Sequence, residues 1–532
     1  MAARTDWDHI IVGAGSAGSA LAARLSEDPD RRVLLLEAGG WDWSPILRIP
    51  GFVYEAINSR KLNWHFEGDP DPSLNGRTLT WAAGRVIGGG SSINGMVFVR
   101  GLPADFDDWA LAGNPGWDWA SMLPYFKRME HWEGAQSDAR GADGPLHVRV
   151  FDQPSAVSAA ALEGFGMMGT PIVADYNAGI AEGIGLTQAS QRGGGRHSAA
   201  RAYLHPARRR PNLVIRTGAV VTSLILEGTR CVGVNVIGDD GRPQAIHANA
   251  DIVLAAGAIV SPKLLMLSGI GDPAQLREHG VVTRHALPGV GANMNEHVNA
   301  FITSSVNIPT YDAVRHGPRR IAAGARWLLR RDGPASAPAN QLQAYHKTDA
   351  SLASADVQIQ TMPVGFGPAS VGLQGVTTVL SLTRPETRGR VALRSGDPLA
   401  PPHIRISLLD SDRDIRTLIK AARYVREVYQ TAPLRKLVER ETMPTASVQS
   451  DAEWLAYFRE TSRLNWHPTS TCRMGPGADD VVDSRLRVHG VDNLRIADAS
   501  IMPIVPSGNT NAPCIAIGEK AADLIKGLRD GN

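Results

Sequence analysis

The stretch "HIIVGAGSAGSALAARLSEDPDRRVLLLEAG", His9 to Gly39, constrains the architecture of this chain more than any other. Its apolar runs predict a buried strand over 9–12, an Ala- and Leu-rich helix over 16–25 and a second strand over 33–36. Between the first two lie Gly13, Gly15 and Gly18 in G-x-G-x-x-G spacing. Gly13 permits the tight turn, Gly15 allows backbone to approach a pyrophosphate, and Gly18 lets the helix pack close to the strand. Ser16 opens the helix, whose positive end is a ready site for phosphate. Glu37, closing the second strand, can accept hydrogen bonds from both ribose hydroxyls and would repel a 2′-phosphate. Strand, helix, second strand and acid in this order point to an adenine dinucleotide. They do not separate FAD from NAD.

The rest of the composition narrows the setting. A chain of 532 residues exceeds one ordinary domain, so two or more substructures are expected. An apolar content of 43% and a charged content of 20% are those of a soluble globular protein. A net charge of +2 gives no reason to expect nucleic acid. Basic residues cluster locally at Arg208–Arg210 and from Arg315 to Arg331, the latter reading as a helix with a solvated cationic face, or a membrane or partner surface. Cys231, Cys472 and Cys514 are odd in number, far apart and without C-x-x-C, against a disulfide framework or a structural zinc. No apolar run has the length of a membrane span, and the first strand begins too early for a signal peptide, so a cytoplasmic location is expected.

Three more segments carry chemistry. "GRVIGGGSSINGMVFVRG", Gly84–Gly101, is a loop built for close approach, whose backbone amides and Asn94 could meet a planar ring system. "GAIVSPKLLMLSGIG", Gly257–Gly271, follows an apolar strand. Near the end, "NLRIADASIMPIVPSGNTNAPCIAIGEKAADLI" supplies a strand, Asp498, a loop with Asn509 and Asn511, and a helix. Before it lies "NWHPTSTCRMG", where His467 reads as a proton carrier, a metal ligand with Cys472, or a structural histidine. No further ligands stand at zinc spacing around Cys472, so no metal is expected. His65, in the other Asn-Trp-His, lacks the following motif and reads as structural.

In these segments, over essentially the whole length, the chain resembles the glucose-methanol-choline (GMC) oxidoreductases, which are FAD-dependent. Gly84–Gly101 and Gly257–Gly271 look like the two signature patterns of that family, and "HPTSTCRMG" like its catalytic histidine motif. The resemblance implies an α/β fold, α+β overall. It consists of a Rossmann-like FAD domain of discontinuous segments and a substrate domain with an antiparallel sheet. Residues 1–300 would be mainly FAD domain with some substrate-domain segments inserted. Residues 301–480 would be mainly substrate domain with the catalytic histidine, and 481–532 would return to the FAD domain. It further implies that Gly13, Ser16 and Glu37 hold the ADP half, with backbone of Val221 at the adenine. Gly89, Asn94 and Gly95 would line the isoalloxazine, Asp498 would sit near the pyrophosphate and ribityl chain, and Asn511 at the pyrimidine edge. Some members bond the flavin to a histidine beside the loop asparagine. Here that residue is Ile93, so non-covalent FAD is expected.

Alcohol oxidation by hydride transfer also requires a group to take the hydroxyl proton, a task for a neutral imidazole. By the resemblance His467 is that base, and Asn509 occupies the partner position, where it can only hydrogen-bond. In choline-oxidising relatives a glutamate and a histidine help bind the cation. Gln341 and Gln360 are aligned with them here, which disfavours choline and points to a neutral hydroxymethyl compound, sugar alcohol or polyol. Trp466 and Asn465, beside His467, are further substrate candidates, Trp466 as a wall for a ring or as plain packing. The reoxidant, dioxygen or a quinone or other carrier, is left open, with a dehydrogenase slightly favoured. The rival readings are a hydroxynitrile lyase of the same fold, a choline dehydrogenase-like activity and a flavin-storage protein. Oligomeric state is not legible.

Overall fold

A computed structural model of the chain describes residues 7–238 and 240–527. The expected strand, helix and strand are found at His9–Val12, Ser16–Leu25 and Val33–Leu36. They belong to a five-stranded sheet ordered Leu213–Arg216, Val33–Leu36, His9–Val12, Ile252–Leu254, Leu494–Ile496. Every neighbouring pair in it is parallel. Its inner strands are buried on both faces, which is why they read as unbroken apolar runs instead of alternating ones. Helix Ser16–Leu25 packs against the last helix, Asn511–Lys526. Each of these helices is seated by a glycine. A Cβ on Gly18 would lie 2.0 Å from the Gly13 carbonyl oxygen, so Gly18 seats the first helix on the turn that precedes it; one on Gly518 would lie 2.3 Å from the Ala17 carbonyl oxygen, so Gly518 lets the last helix meet the first. A three-stranded antiparallel meander, Val220–Glu227, Arg230–Ile237 and Pro243–His247, stands beside this sheet.

The second large sheet is antiparallel, in the order Val438–Met443, Val298–Val306, Gly375–Leu382, Val357–Met362, Leu342–His346, Gly183–Leu186. Helices Ala156–Met167 and Asp412–Tyr429 cover one face. Strand alternation sends Ala300 and Ile302 into the main core, while Asn299 and Phe301 line a cavity on the other side. Gln360 and Val379, cross-strand partners, line it as well. The sheet therefore forms a roof of mixed amides and apolar groups over the parallel half. No helix among the described residues is long and apolar enough to cross a membrane.

Candidate active site

One continuous cavity of about 1360 Å³ runs from the first glycine turn to His467. At one end it is lined by Gly13, Gly15, Ser16, Glu37, Val221, Asp498 and Asn511. Two helices begin here side by side, and the Ser16 hydroxyl donates to Asn511 Oδ1 at 2.7 Å. Paired helix N-termini favour an anion between them. The Glu37 carboxylate accepts from the amides of Ala14 (3.0 Å) and Gly39 (2.8 Å). Burial pushes it up to about 7, with the Gly39 and Ala14 amides and then Arg85 opposing the rise. Hydroxyl donors of a bound ribose would act in the same sense as those amides.

Asp498 both lines the wall and ties the local backbone together. It accepts from the Gly257 amide at 2.8 Å, the Ser261 hydroxyl at 2.6 Å and the Ser500 amide at 2.8 Å. It thus anchors the start of helix Gly257–Leu267 and its own short turn. Gly18 stands apart from the other cofactor candidates. It does not line the cavity, and its role is the helix packing described above.

In the middle of the cavity lie Gly89, Asn94 and Gly95. Gly89 has φ +52°, and a Cβ there would come within 2.8 Å of Gly15 Cα, so the two glycine loops touch backbone to backbone. Asn94 Oδ1 accepts from Arg196 Nη1 at 2.8 Å and from the Met96 amide at 3.0 Å, which leaves its NH2 as the donor available to a ligand. Cavity length, close-approach glycines, paired helix starts and a buried carboxylate fit FAD. The residues present can hold its diphosphate, its ribose and its ring.

The far end holds the catalytic candidates. Asn509 Nδ2 lies 3.4 Å from His467 Nε2, and Asn509 Oδ1 accepts from Gln358 Nε2 (3.2 Å) and Gln360 Nε2 (3.4 Å). His467 Nδ1 lies 2.9 Å from Nδ1 of a second histidine, His297, whose Nε2 lies 3.3 Å from the Thr383 carbonyl oxygen. A carbonyl oxygen only accepts, so His297 Nε2 carries the proton and its Nδ1 is the acceptor. His467 Nδ1 must then be the protonated nitrogen, and its Nε2 a lone pair facing the cavity beside the Asn509 amide. Burial, followed by the neighbouring His297, holds His467 well below the ordinary 6.5. Burial lowers His297 to about 4. Glu296 fixes the backbone of both rings, accepting from the amides of His297 (2.8 Å) and His467 (2.9 Å). Burial pushes its carboxyl up to about 8 against those amides.

The substrate candidates separate. Gln360, Asn465 and Trp466 line this end, Trp466 with its indole N–H donating to the Thr80 carbonyl at 3.0 Å. Gln341 does not line the cavity. It sits one residue before strand Leu342–His346, and its Oε1 accepts from the Ser155 amide at 2.8 Å, at the start of helix Ala156–Met167. The glutamine facing Gln360 across the sheet is Gln343, with Gln360 Nε2 donating to Gln343 Oε1 at 3.0 Å. His65, read above as structural, is a lining residue. Cys472 is buried, and among the described residues no cluster of three or more His, Cys, Asp or Glu side chains is arranged to hold a metal.

Four polar residues at this end went unread in the sequence: Glu296, His297, Asn299 and Gln358. The signal for the first three was the polar string "NEHVN" leading into a strand; Gln358 stands two residues before Gln360 in strand Val357–Met362. Asn299 joins Asn465 through Ser381, whose hydroxyl donates to Asn299 Oδ1 and accepts from Asn465 Nδ2. Next to these amides lies an apolar wall of Phe301, Met362, Phe366, Val379 and Met443.

Comparison with known proteins agrees with this geometry. The GMC oxidoreductase family models match residues 7–299 and 385–518. An oxygen-dependent choline dehydrogenase of Rhizobium johnstonii is 39% identical over 527 residues, covering 98% of this chain and 95% of that protein. Among solved structures, pyridoxine 4-oxidase from Mesorbium loti is 31% identical with a TM-score of 0.90, covering 98% of this chain and 100% of that one. A formate oxidase of Aspergillus oryzae is 27% identical with a TM-score of 0.92 over 98% of both chains. A glycine-lined dinucleotide cavity closed by an imidazole and an amide, in a chain alike over its whole length, leads to one conclusion: the chain belongs to the GMC oxidoreductase family, as an FAD-dependent oxidoreductase acting on CH–OH groups.

Proposed function

We propose that the protein oxidises a neutral primary or secondary alcohol, foremost the hydroxymethyl group of a molecule with an apolar or aromatic body, with His467 as the proton acceptor. The supporting observation is the directed chain from the Thr383 carbonyl through His297 to His467, which presents a lone pair at His467 Nε2. FAD, when bound, supplies the acceptor for the hydride of the carbinol carbon. The chain's own residues manage the proton. The Asn509 amide and His467 Nε2 hold the hydroxyl between them, and Nε2 takes its proton as the carbonyl forms. The resulting imidazolium keeps its Nδ1–H on His297, so no ring has to turn. A positioned base of this kind is worth roughly 10²–10⁴-fold.

Substrate class rests on the lining. Asn299, Gln360, Asn465 and Asn509 are amides, the adjoining wall is apolar, and the lining carboxylates away from the glycine turn, Glu67 and Glu460, are exposed to solvent. Amides suit a hydroxyl, the apolar wall suits a ring, and neither offers a counter-charge to a quaternary ammonium. The similarity to pyridoxine 4-oxidase fits such a substrate. The similarity to choline dehydrogenases makes choline the alternative. The experiment is anaerobic addition of a panel of alcohols, read at the flavin absorption band. Benzylic and pyridine-type hydroxymethyl compounds are expected to bleach it and choline is not. Bleaching by choline alone would replace this reading, and bleaching by nothing while a hydroxynitrile is cleaved would make the protein a lyase. Readmitting air or a quinone then identifies the reoxidant.

The cofactor is held without a covalent bond. Ile93, buried at the end of the glycine loop and lining the cavity, has no atom that can bond to the flavin ring. Acid precipitation of the holoenzyme is expected to leave all the yellow colour in the supernatant. Colour retained in the pellet would overturn this.

A further inference from the structure

Helix Gly317–Arg330 is attached to the protein by one edge. Trp327 is buried there with Ile49 and Ala335, its indole N–H donating to the Gly194 carbonyl at 2.7 Å. Arg320 lies 4.9 Å over the Phe52 ring and pairs with Glu55. At about 3.6 residues per turn, Pro318, Ile321, Ala322, Ala325, Leu328 and Leu329 share the opposite face. Ile321 is 75% exposed, Leu328 64% and Leu329 85%. Helices on globular proteins turn such a stripe inward; this one turns it to solvent. Six arginines and no acidic residue lie between 315 and 331. Arg326 pairs with Asp332 at 2.6 Å, while Arg319 and Arg330, on the same flank of the apolar face, have no ion pair among the described residues.

This helix adjoins the substrate end of the cavity. Arg315, two residues before it, lines the cavity, as do Tyr54 and Phe366, whose rings meet edge to face at 6.4 Å. Asp312 accepts from the amides of Gly365 (2.8 Å) and Gly375 (3.0 Å), tying to the same place a loop whose Val371 is 83% exposed. A second copy of the chain is a poor occupant, because a two-fold contact through this face would set its arginines against their own copies. Exposed aliphatic side chains in a row, edged by arginines, instead match a helix lying in the plane of a charged lipid surface.

We propose that this helix docks the protein on an anionic phospholipid bilayer, Ile321, Leu328 and Leu329 entering the headgroup–acyl boundary and Arg319 and Arg330 meeting phosphates. The inference stands on the surface alone and goes beyond the alcohol-oxidation reading. Docked in this way, the protein holds the substrate end of its cavity close to the lipid phase.

The test is flotation of the holoenzyme with vesicles of phosphatidylcholine alone and of phosphatidylcholine with an equal part of phosphatidylglycerol. The protein is expected to float with the anionic vesicles only, and less so as salt is raised. Each arginine at such a surface is worth about fivefold in binding, so Arg319→Gln with Arg330→Gln should lower partitioning at least tenfold. Leu328→Gln with Leu329→Gln should do likewise. Flavin content and turnover of a soluble alcohol should be unchanged in both, since these side chains are exposed and off the cavity. Holoenzyme that stays down with anionic vesicles, or floats equally after both pairs of substitutions, overturns the proposal. So does a concentration-dependent dimer, lost in the leucine variant, without vesicle binding.

Discussion

His467→Ala is expected to retain FAD and to lose flavin reduction by roughly 10²–10⁴-fold, measured by anaerobic stopped flow at saturating alcohol. Cofactor retention follows from the layout of the cavity, whose dinucleotide end is lined by residues of other segments. The pH profile of the wild type gives a second check, with a definite sign. The neutral ring is the competent base, and burial together with His297 lowers its pKa below 6.5. As pH falls through 6.5 the ring therefore stays neutral and the reduction rate stays level. A decline sets in only well below that value. A rate unchanged by the substitution, or one already falling above pH 6.5, would remove His467 from the proton-acceptor role.

The second large effect belongs to a positioning residue. In His297→Leu the Nδ1–H of His467 loses its acceptor inside the protein, an unmade bond worth about 1–3 kcal/mol. The ring can relieve this by moving its proton to Nε2, with Asn509 turning its oxygen to receive it. His467 then presents a proton where a lone pair is needed. A wrong tautomer of this kind cost about 10⁴ in a serine protease triad. Because the tautomers here interconvert without a fixed charge to lock them, a smaller fall in kcat, on the order of 10², is expected, with KM and flavin content little changed. His297→Gln restores an acceptor at the same place and should recover most of the rate. Equal losses in both variants, or loss of flavin, would mean that His297 only supports packing.

How much of this was legible depended on whether the signal was local. The parallel unit was, because strand, glycine turn, helix, strand and acid lie within His9–Glu37 and each has a backbone reason to be there. The motif around His467 was legible for the same reason. Cross-sheet neighbours were not. Gln341 and Gln343 differ by two residues and would face the same way in an ideal strand, but Gln341 lies just outside the strand and is taken by the Ser155 amide. His297 is 170 positions from His467, and the pairing of Arg463–Leu464 with the start of Val298–Val306, continued by the Asn295–Thr469 bridge, brings them together. The exposed apolar face of helix Gly317–Arg330 was hidden by its arginines, because a count of charges does not say which way the leucines point.

The strand order of the parallel sheet has a consequence for how the enzyme is made. Leu494–Ile496 is the outermost strand beside Ile252–Leu254, and Asn509 and Asn511 follow it. A chain that has folded Ser16 and Glu37 into this half still lacks one of the two helix starts at this end of the cavity until the segment from Leu494 to Lys526 joins it. FAD binding is therefore expected to wait for that segment, and a chain truncated before Leu494 is expected to be colourless.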